Sequence, residues 1–407
     1  MPDIVIVGAG VIGISSAYAL ARAGFRVTVV EKNAEAGLGV SLGNGAQLSY
    51  AYSDAMASPE LLRKLPGILM GADNSHSVAL RPDPQFLSWG LRFLRNGTRS
   101  RWDGNTARIL AIALSSQSLL RDLTAEADFD FSYREAGKLI VYGKPEQFER
   151  ARSGMRVKLA AGIPQEALSA DEARVLEPAL LHYGDTIAGA IYSPEDAVGD
   201  ASAYCAGMRE FLQEKYGVRF LLGSGVGRIL IKDKVALGVA LANDLEVPAD
   251  LTVWATGAEL DRLPRGVNEK RDIWPVRGYS FTVPANENAP RISITDAARK
   301  IVFARIGDRL RVAGLADIGG QTFSNDRFDV LSSNSRAVFP QAIPSNIPEN
   351  ARWSGARPMT PDSLPIIKES GALKGLVLNI GHGGLGWTLA LGSAERLLSL
   401  IRSRTSV

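Results

Sequence analysis

Apolar residues at 3–7 form a short run that stops at Gly8-Ala9-Gly10-Val11-Ile12-Gly13; helical apolar spacing then covers 14–23, and a second apolar run covers 25–30 before Glu31. The order is strand, glycine turn, helix, strand and acid. Further on, helical spacing predicts helices over 84–94, 103–126, 145–161, 169–176, 201–216, 325–338 and 389–401. Alternating or continuous apolar runs predict strands over 129–133, 138–142, 218–222, 226–231, 235–242, 251–255, 274–284, 300–316 and 376–380. Asp103 is expected to cap the helix at 103–126, Pro145 to open the next, and Ser169 with Glu172 to form a capping box on the one after. Pro59, Pro66, Pro82 and Pro84 break 50–101 into short pieces.

At 407 residues the chain is too long for one simple core, and two or three domains are expected. The first βαβ unit, together with the runs from 218 to 255, predicts an α/β fold with a Rossmann-like nucleotide domain built from 1–80, 190–270 and 346–407. Residues 81–189 and 271–345 are expected to form an α+β substrate domain with a mixed or antiparallel sheet. In it Arg299, Lys300, Arg305, Arg309 and Arg311 alternate with apolar residues, so basic side chains share one face. Most of them are expected to be solvated, and one or two to face an anionic substrate.

Chemistry enters at the glycines. Gly8 suits a tight turn, Gly10 lets backbone approach a pyrophosphate, and Gly13 lets helix pack on strand; the helix N-terminus then faces the phosphates. Glu31, 18 residues past Gly13, falls where a carboxylate accepts both ribose hydroxyls and repels a 2′-phosphate. These features predict FAD or NAD without choosing between them, and disfavour NADP. The small polar residues at 33–47 suit a loop folded around phosphates and carbonyls, and the run ending at Thr256-Gly257 is another place where backbone can approach a ligand. Gly381, Gly383, Gly384 and Gly386 precede the last helix and predict a second anion or carbonyl cradle, so one long cofactor is held at two places.

Composition excludes several classes. Lys plus Arg exceed Asp plus Glu by three (46 against 43), without a block of like charge, which argues against a nucleic-acid partner. One cysteine, Cys205, and three scattered histidines, His76, His182 and His382, argue against a disulfide framework and a Cys/His metal site. Cys205 reads as a packed thiol. With neither a signal-peptide pattern nor an apolar run long enough to span a bilayer, a cytoplasmic protein is expected. The helix at 84–94, with its apolar residues beside Arg92 and Arg95, reads as packed on its own domain or as a peripheral membrane contact.

The Gly8–Gly13 turn with Glu31, the loop Asn44-Gly45-Ala46-Gln47-Leu48-Ser49, Arg277-Gly278-Tyr279-Ser280, the stretch 353–365 and the stretch 381–388 together resemble the D-amino acid oxidase superfamily of flavoenzymes, and within it the bacterial D-amino acid dehydrogenases. The resemblance covers nearly the whole chain. It implies non-covalent FAD held by Gly8, Gly10, Val11, Ile12, Gly13, Glu31 and Lys32, by Ser41, Asn44, Gly45, Gln47 and Leu48, by Val226, Thr256 and Gly257, and by Gly381, Gly383, Gly384, Leu385, Gly386, Trp387 and Thr388. Arg357 matches the arginine that grips the substrate carboxylate, Tyr52 and Tyr279 match substrate-lining tyrosines, and Arg305 is a weaker candidate. His382 is implied chiefly as part of the flavin loop, with a proton-transfer role as a lesser alternative. The implied reaction oxidises a D-amino acid to an imino acid that water hydrolyses to a 2-oxo acid and ammonium; oxygen, a quinone or an electron-transfer partner then takes the electrons. The last glycine loop lacks the arginine of many glycine oxidases, and Cys205 does not stand where sarcosine oxidases tether their flavin. Alternatives left open are a secondary amine such as D-proline, D-hydroxyproline or sarcosine, glycine itself, an NAD-binding dehydrogenase or sensor, and a non-catalytic FAD-holding subunit.

Overall fold

Residues 2–70, 75–319 and 324–405 are described in the computed structural model; the expected ranges 1–80, 271–345 and 346–407 each include residues outside that set. The opening strand Asp3–Val7 is buried almost throughout because parallel neighbours flank it, Arg26–Val30 on one side and Leu251–Trp254 on the other. The six strands of this sheet run in the order Ile366–Glu369, Leu376–Ile380, Leu251–Trp254, Asp3–Val7, Arg26–Val30 and Arg219–Leu221, all parallel except the first. Continuous Val/Ile/Leu runs suit strands covered on both faces. On one face lie the helices Val11–Arg22, Ala201–Tyr216 and Gly386–Thr405, whose apolar sides form one core with Ile4, Ile6, Val27 and Val29.

The second sheet pairs Arg352–Met359, Trp274–Pro284, Arg309–Ile318, Ile301–Ile306, Ser293–Asp296, Lys138–Tyr142, Gly189–Ser193 and Glu166–Leu168 in that order, with His76–Val78 added alongside Arg309–Ile318. Most pairs are antiparallel, and the strands Ser293–Asp296 and Lys138–Tyr142 run parallel. This is the mixed sheet expected from alternation.

Several elements depart from the expectation. The long helix is Arg99–Glu126, capped at Thr98, and Asp103 instead pairs with Arg99 at 2.9 Å one turn back. Its apolar face, Ile109, Ile112, Leu120 and Leu123, packs in the nucleotide-side core, where the Gly392 amide donates to Ser116 Oγ at 2.7 Å. A boundary at 81 therefore does not follow the core. Nor does one at 346, because Arg352–Met359 is an edge strand of the second sheet. Residues 129–133 form no strand; Phe129 and Phe131 are spent against Tyr204. The run 300–316 breaks at Gly307, whose φ of +60° turns it into the hairpin Ile301–Ile306 and Arg309–Ile318.

Three elements meet at Glu126. Its carboxylate accepts from Tyr18 Oη, Lys215 Nζ and Tyr216 Oη, each at 2.8 Å. Burial alone would raise its pKa, but hydrogen bonds from Lys215, Tyr18 and Tyr216 hold it down at about 2, against an ordinary 4.5. A depressed carboxyl contributes stability above its unfolded pKa and loses it as pH falls through the folded value. Glu126→Gln is thus expected to cost about 1–3 kcal/mol at pH 7 and to shrink the stability lost between pH 4.5 and 2, as read by urea melts across that range.

Candidate active site and cofactor cradle

The opening turn is shaped for a ligand. Gly8 has φ +105°, and a Cβ there would sit 2.8 Å from the Ala255 carbonyl oxygen; a Cβ on Gly13 would overlap the Gly8 carbonyl. Gly10 differs, because a Cβ there meets only Ser41 Oγ, at 3.3 Å, so nothing in the protein itself requires a glycine. Gly10 caps the helix without a side chain, and the sole side-chain acceptor found at this helix start among the described residues is Ser41 Oγ, 3.2 Å from the Val11 amide. The amides of Ile12 and Gly13 follow at the helix start. Glu31 Oε2 accepts the Ala9 amide at 2.8 Å, and its Oε1 accepts Asn33 N and Nδ2 at 2.9 and 2.6 Å, which fixes the carboxylate at the mouth of the turn. Gly257, at φ +67° with open space where a Cβ would be, lies just past the strand that Gly8 touches. Thr256 donates to the Glu259 carbonyl at 2.5 Å. Lys32 is committed to an exposed pair with Glu259, and the Val226 side chain is buried in a separate three-stranded sheet. Neither of these two side chains joins the cradle.

From Ser41 the chain crosses the second sheet. Ser280 Oγ donates to the Gly43 carbonyl at 2.9 Å, and Arg311 Nη1 to the carbonyls of Leu42 and Asn44, each at 2.9 Å. Of the alternating basic residues Arg299, Lys300, Arg305, Arg309 and Arg311, Arg311 turns inward and holds the loop, whereas Arg305 donates to the Gly307 carbonyl at its own turn. Asn44 Oδ1 accepts the Ala46 amide at 2.9 Å, which supports Ala46 at φ +57°. Gly45 lies against Val302 and Ala313, and Gly43 leaves room for the Trp353 ring. Gln47 Nε2 donates to Ser293 Oγ at 2.5 Å, Leu48 is buried beside Ala197, and the Ser49 amide donates to Thr388 Oγ1 at 3.2 Å. The first loop is thereby joined to the second glycine stretch.

That stretch turns at Gly381 (φ +81°) and Gly383 (φ +57°), makes a 3₁₀ turn over Gly383–Leu385 and starts its helix at Gly386, earlier than residue 389. Only the Trp387 backbone belongs to this helix start. Its indole donates to the Gly199 carbonyl at 3.0 Å and packs on Tyr204, on the core side. His382 is 4% exposed, its Nε2 meets Ser393 Oγ at 3.0 Å, and burial pushes its pKa down to about 3. The enclosed imidazole thus packs between the glycine turn and the last helix, within the stretch read as the flavin loop.

Arg357 stands beside this second cradle, its Cδ 3.6 Å from where a Gly384 Cβ would be. It is half-buried, and burial lowers its pKa. Nη1 donates to the Leu315 carbonyl at 3.0 Å, and among the described residues no carboxylate comes within ion-pair distance. Leu315 holds φ +59° at a bulge in the Trp274–Pro284 pairing, a strained conformation for a branched residue that aims this carbonyl at the guanidinium. A Cβ on Gly278 would overlap that guanidinium, which gives a glycine in the expected Arg277-Gly278-Tyr279 motif its physical reason.

The two tyrosines expected to line the substrate site sit in different surroundings. Tyr279 is 1% exposed, donates to Asp317 Oδ2 at 2.8 Å and packs edge-on against Phe328; Asp317 also pairs with Arg327 at 2.7 Å. Tyr52 has Lys138 Nζ 4.8 Å and Lys158 Nζ 5.5 Å from its ring centroid. Leu315, Asp317 and Lys138 escaped the sequence reading; none carries a local motif, and their meaning comes from strand neighbours.

Two glycine-lined helix starts are thus joined through Ser49 and Thr388, and a half-buried arginine stands beside the second. The sequence model of the family described as FAD dependent oxidoreductase matches residues 3–400, and the chain belongs to that family. It is 40% identical to D-amino acid dehydrogenase 2 of Ralstonia nicotianae over 99% of this chain and 97% of that protein. It is 36% identical to D-amino acid dehydrogenase of Paramagnetospirillum magneticum over 99% and 96%. Among solved structures, glycine oxidase from Bacillus cereus shares the fold at a TM-score of 0.73 and 20% identity, covering 99% and 96% of the two chains. L-proline dehydrogenase from P. horikoshii does so at 0.74 and 18%, covering 99% and 94%. FAD fits the residues present: a glycine turn whose Gly10 is free of protein contact except Ser41, a fixed Glu31 carboxylate and a second glycine-lined helix start.

Proposed function

We propose that this chain oxidises D-amino acids to imino acids, which water converts to 2-oxo acids and ammonium. The observation that carries the reading is Arg357, half-buried beside the second cradle with guanidinium donors not paired to any carboxylate among the described residues. The relatives named D-amino acid dehydrogenase support the substrate class. Gly8, Gly10, Gly13 and Glu31 would hold the adenosine and pyrophosphate half of FAD, and the segment from Ser41 to Leu48 with the amides of the Gly386–Thr405 helix start would hold the flavin half. Bound there, FAD supplies the two-electron acceptor for the α-hydrogen and its bonding pair. Arg357 fixes the substrate carboxylate with two parallel bonds, Leu315 and Gly278 fix Arg357, and the helix N-terminus favours negative charge beside it. Attachment is non-covalent, since Cys205 is fully buried and burial raises its pKa. The test is turnover with an artificial electron-accepting dye: 2-oxo acid and ammonium are expected in equal amounts from D-alanine and not from L-alanine. Turnover of D-proline or sarcosine alone would move the protein to secondary amines.

A membrane-held electron acceptor, such as a quinone, is supported by the helix Pro84–Asn96. Phe86, Trp89 and Phe93 are buried under it, while Leu87, Leu91 and Leu94 repeat at helical spacing on the solvent side, followed by exposed Arg95, Arg99 and Arg101. No helix among the described residues is long and apolar enough to cross a membrane. The protein is expected to float with anionic vesicles and to be lost from them when Leu87, Leu91 and Leu94 are changed to Ser; equal flotation of the variant would contradict this docking face.

A further inference from the structure

Lys138 opens the strand Lys138–Tyr142 and is 2% exposed. Its Nζ donates to Gln47 Oε1 at 2.9 Å and to Ser49 Oγ at 2.6 Å, and it faces the Tyr52 ring. Among the described residues no carboxylate comes within 4.0 Å of it, whereas its neighbour Lys158 pairs with Asp54 at 2.9 Å. An enclosed ammonium with no anion in contact is costly, and an apolar side chain of similar volume would hold the strand at less expense. The two acceptors do not demand a charge either, because an amide and a hydroxyl are satisfied by any donor. What the fold does not account for is the charge.

Its position suggests the use. Gln47 is gripped at both ends of its amide, by Lys138 at Oε1 and by Ser293 at Nε2, and Ser49 links the same ammonium to Thr388 at the start of the last helix. Lys138 therefore sits directly behind the segment that connects the two cradles. Two anions act on it from this side: Asp54, paired with Lys158, and buried Asp196, which accepts the Ala51 amide at 2.9 Å and whose second oxygen has no hydrogen-bond partner among the described residues. Burial pushes Lys138 down to about 8 and Asp196 up to about 6, so both remain mainly ionised at pH 7.

We infer that Lys138 is a positioning residue whose enclosed positive charge, set behind Gln47 and Ser49, raises the reduction potential of the cofactor bound along that segment. A group that gains two electrons gains negative charge, and a fixed cation in a dry surrounding stabilises the reduced form. This rests on the proposal that FAD lies along Ser41–Ser49 and the Gly381–Thr388 stretch.

The test is the midpoint potential of the FAD-loaded protein, measured against a redox dye. Lys138→Gln removes the charge while keeping a donor near Ser49, and it decides the question; Lys138→Met removes both. Each is expected to lower the potential so that at a given poise at least tenfold less cofactor is reduced, about 30 mV for a two-electron couple. Lys138→Arg keeps the charge and is expected to stay near the wild type. A yellow Lys138→Gln protein with the wild-type potential would overturn the inference and leave the FAD reading intact. A wild-type protein that binds no FAD would instead remove the reading beneath it.

Discussion

Arg357→Ala is expected to raise the KM for a D-amino acid by about 30-fold to several thousand-fold, the equivalent of roughly 2–5 kcal/mol for truncating one partner of an enclosed charge pair. Visible flavin absorbance and FAD affinity are expected to stay at wild-type levels, because the guanidinium is held at the Leu315 carbonyl and the side chain meets the second glycine stretch near Gly384. Arg357→Lys recovers part of the loss, since an ammonium supplies charge without the two-pronged geometry. Gly278→Ala offers a second route to the same defect: its methyl would displace the guanidinium from the Leu315 carbonyl without altering any charge. Steady-state kinetics on the three variants check this, and an unchanged KM in Arg357→Ala would end the role assigned to it.

Gly10→Ala is expected to give a folded, colourless protein. An alanine Cβ there meets only Ser41 Oγ, at 3.3 Å, so the melting temperature without cofactor is expected to match the wild type within a degree or two. The methyl would occupy the space where a pyrophosphate must approach the backbone, so FAD affinity falls by about 100-fold or more. Gly13→Ala contrasts with it. There the methyl overlaps the Gly8 carbonyl, so the turn itself must open, and both the FAD affinity and the stability of the cofactor-free protein drop. Flavin fluorescence titrations and thermal melts separate the two. A Gly10→Ala protein that purified yellow would contradict the cradle.

Both cradles were legible because their chemistry is local. A glycine forced to φ +105° at Gly8, or to φ +57° at Gly383, leaves its mark in the sequence where it acts, and Glu31 lies at a fixed distance along one βαβ unit. The surroundings of Tyr279 and His382 were not legible, for the opposite reason. Alternation tells which residues of a strand share a face, but the bulge opposite Arg277 and Tyr279 shifts the register, and Tyr279 ends against Phe328 and Asp317. His382 stands in a glycine-rich stretch, yet its ring packs under the helix that follows and meets Ser393. Arg352–Met359 looked like part of the nucleotide domain because it lies close in sequence to the second cradle, whereas its pairing partner, Trp274–Pro284, comes some 70 residues earlier. Lys138 carried no signal at all: a lysine at the start of an apolar run normally reaches solvent, and only the neighbouring strands and the Gln47–Ser49 segment enclose it.

The measurement that bears most directly on the account is anaerobic. The purified protein is placed in a sealed cuvette, its visible flavin band recorded, and D-alanine, L-alanine, D-proline, glycine and sarcosine added one at a time. Bleaching by D-alanine and not by L-alanine is the predicted result, since it requires bound FAD, a substrate held by its carboxylate and transfer of the α-hydrogen within one complex. A flavin band that none of these amines bleaches would contradict the proposed reaction while leaving the fold and family untouched.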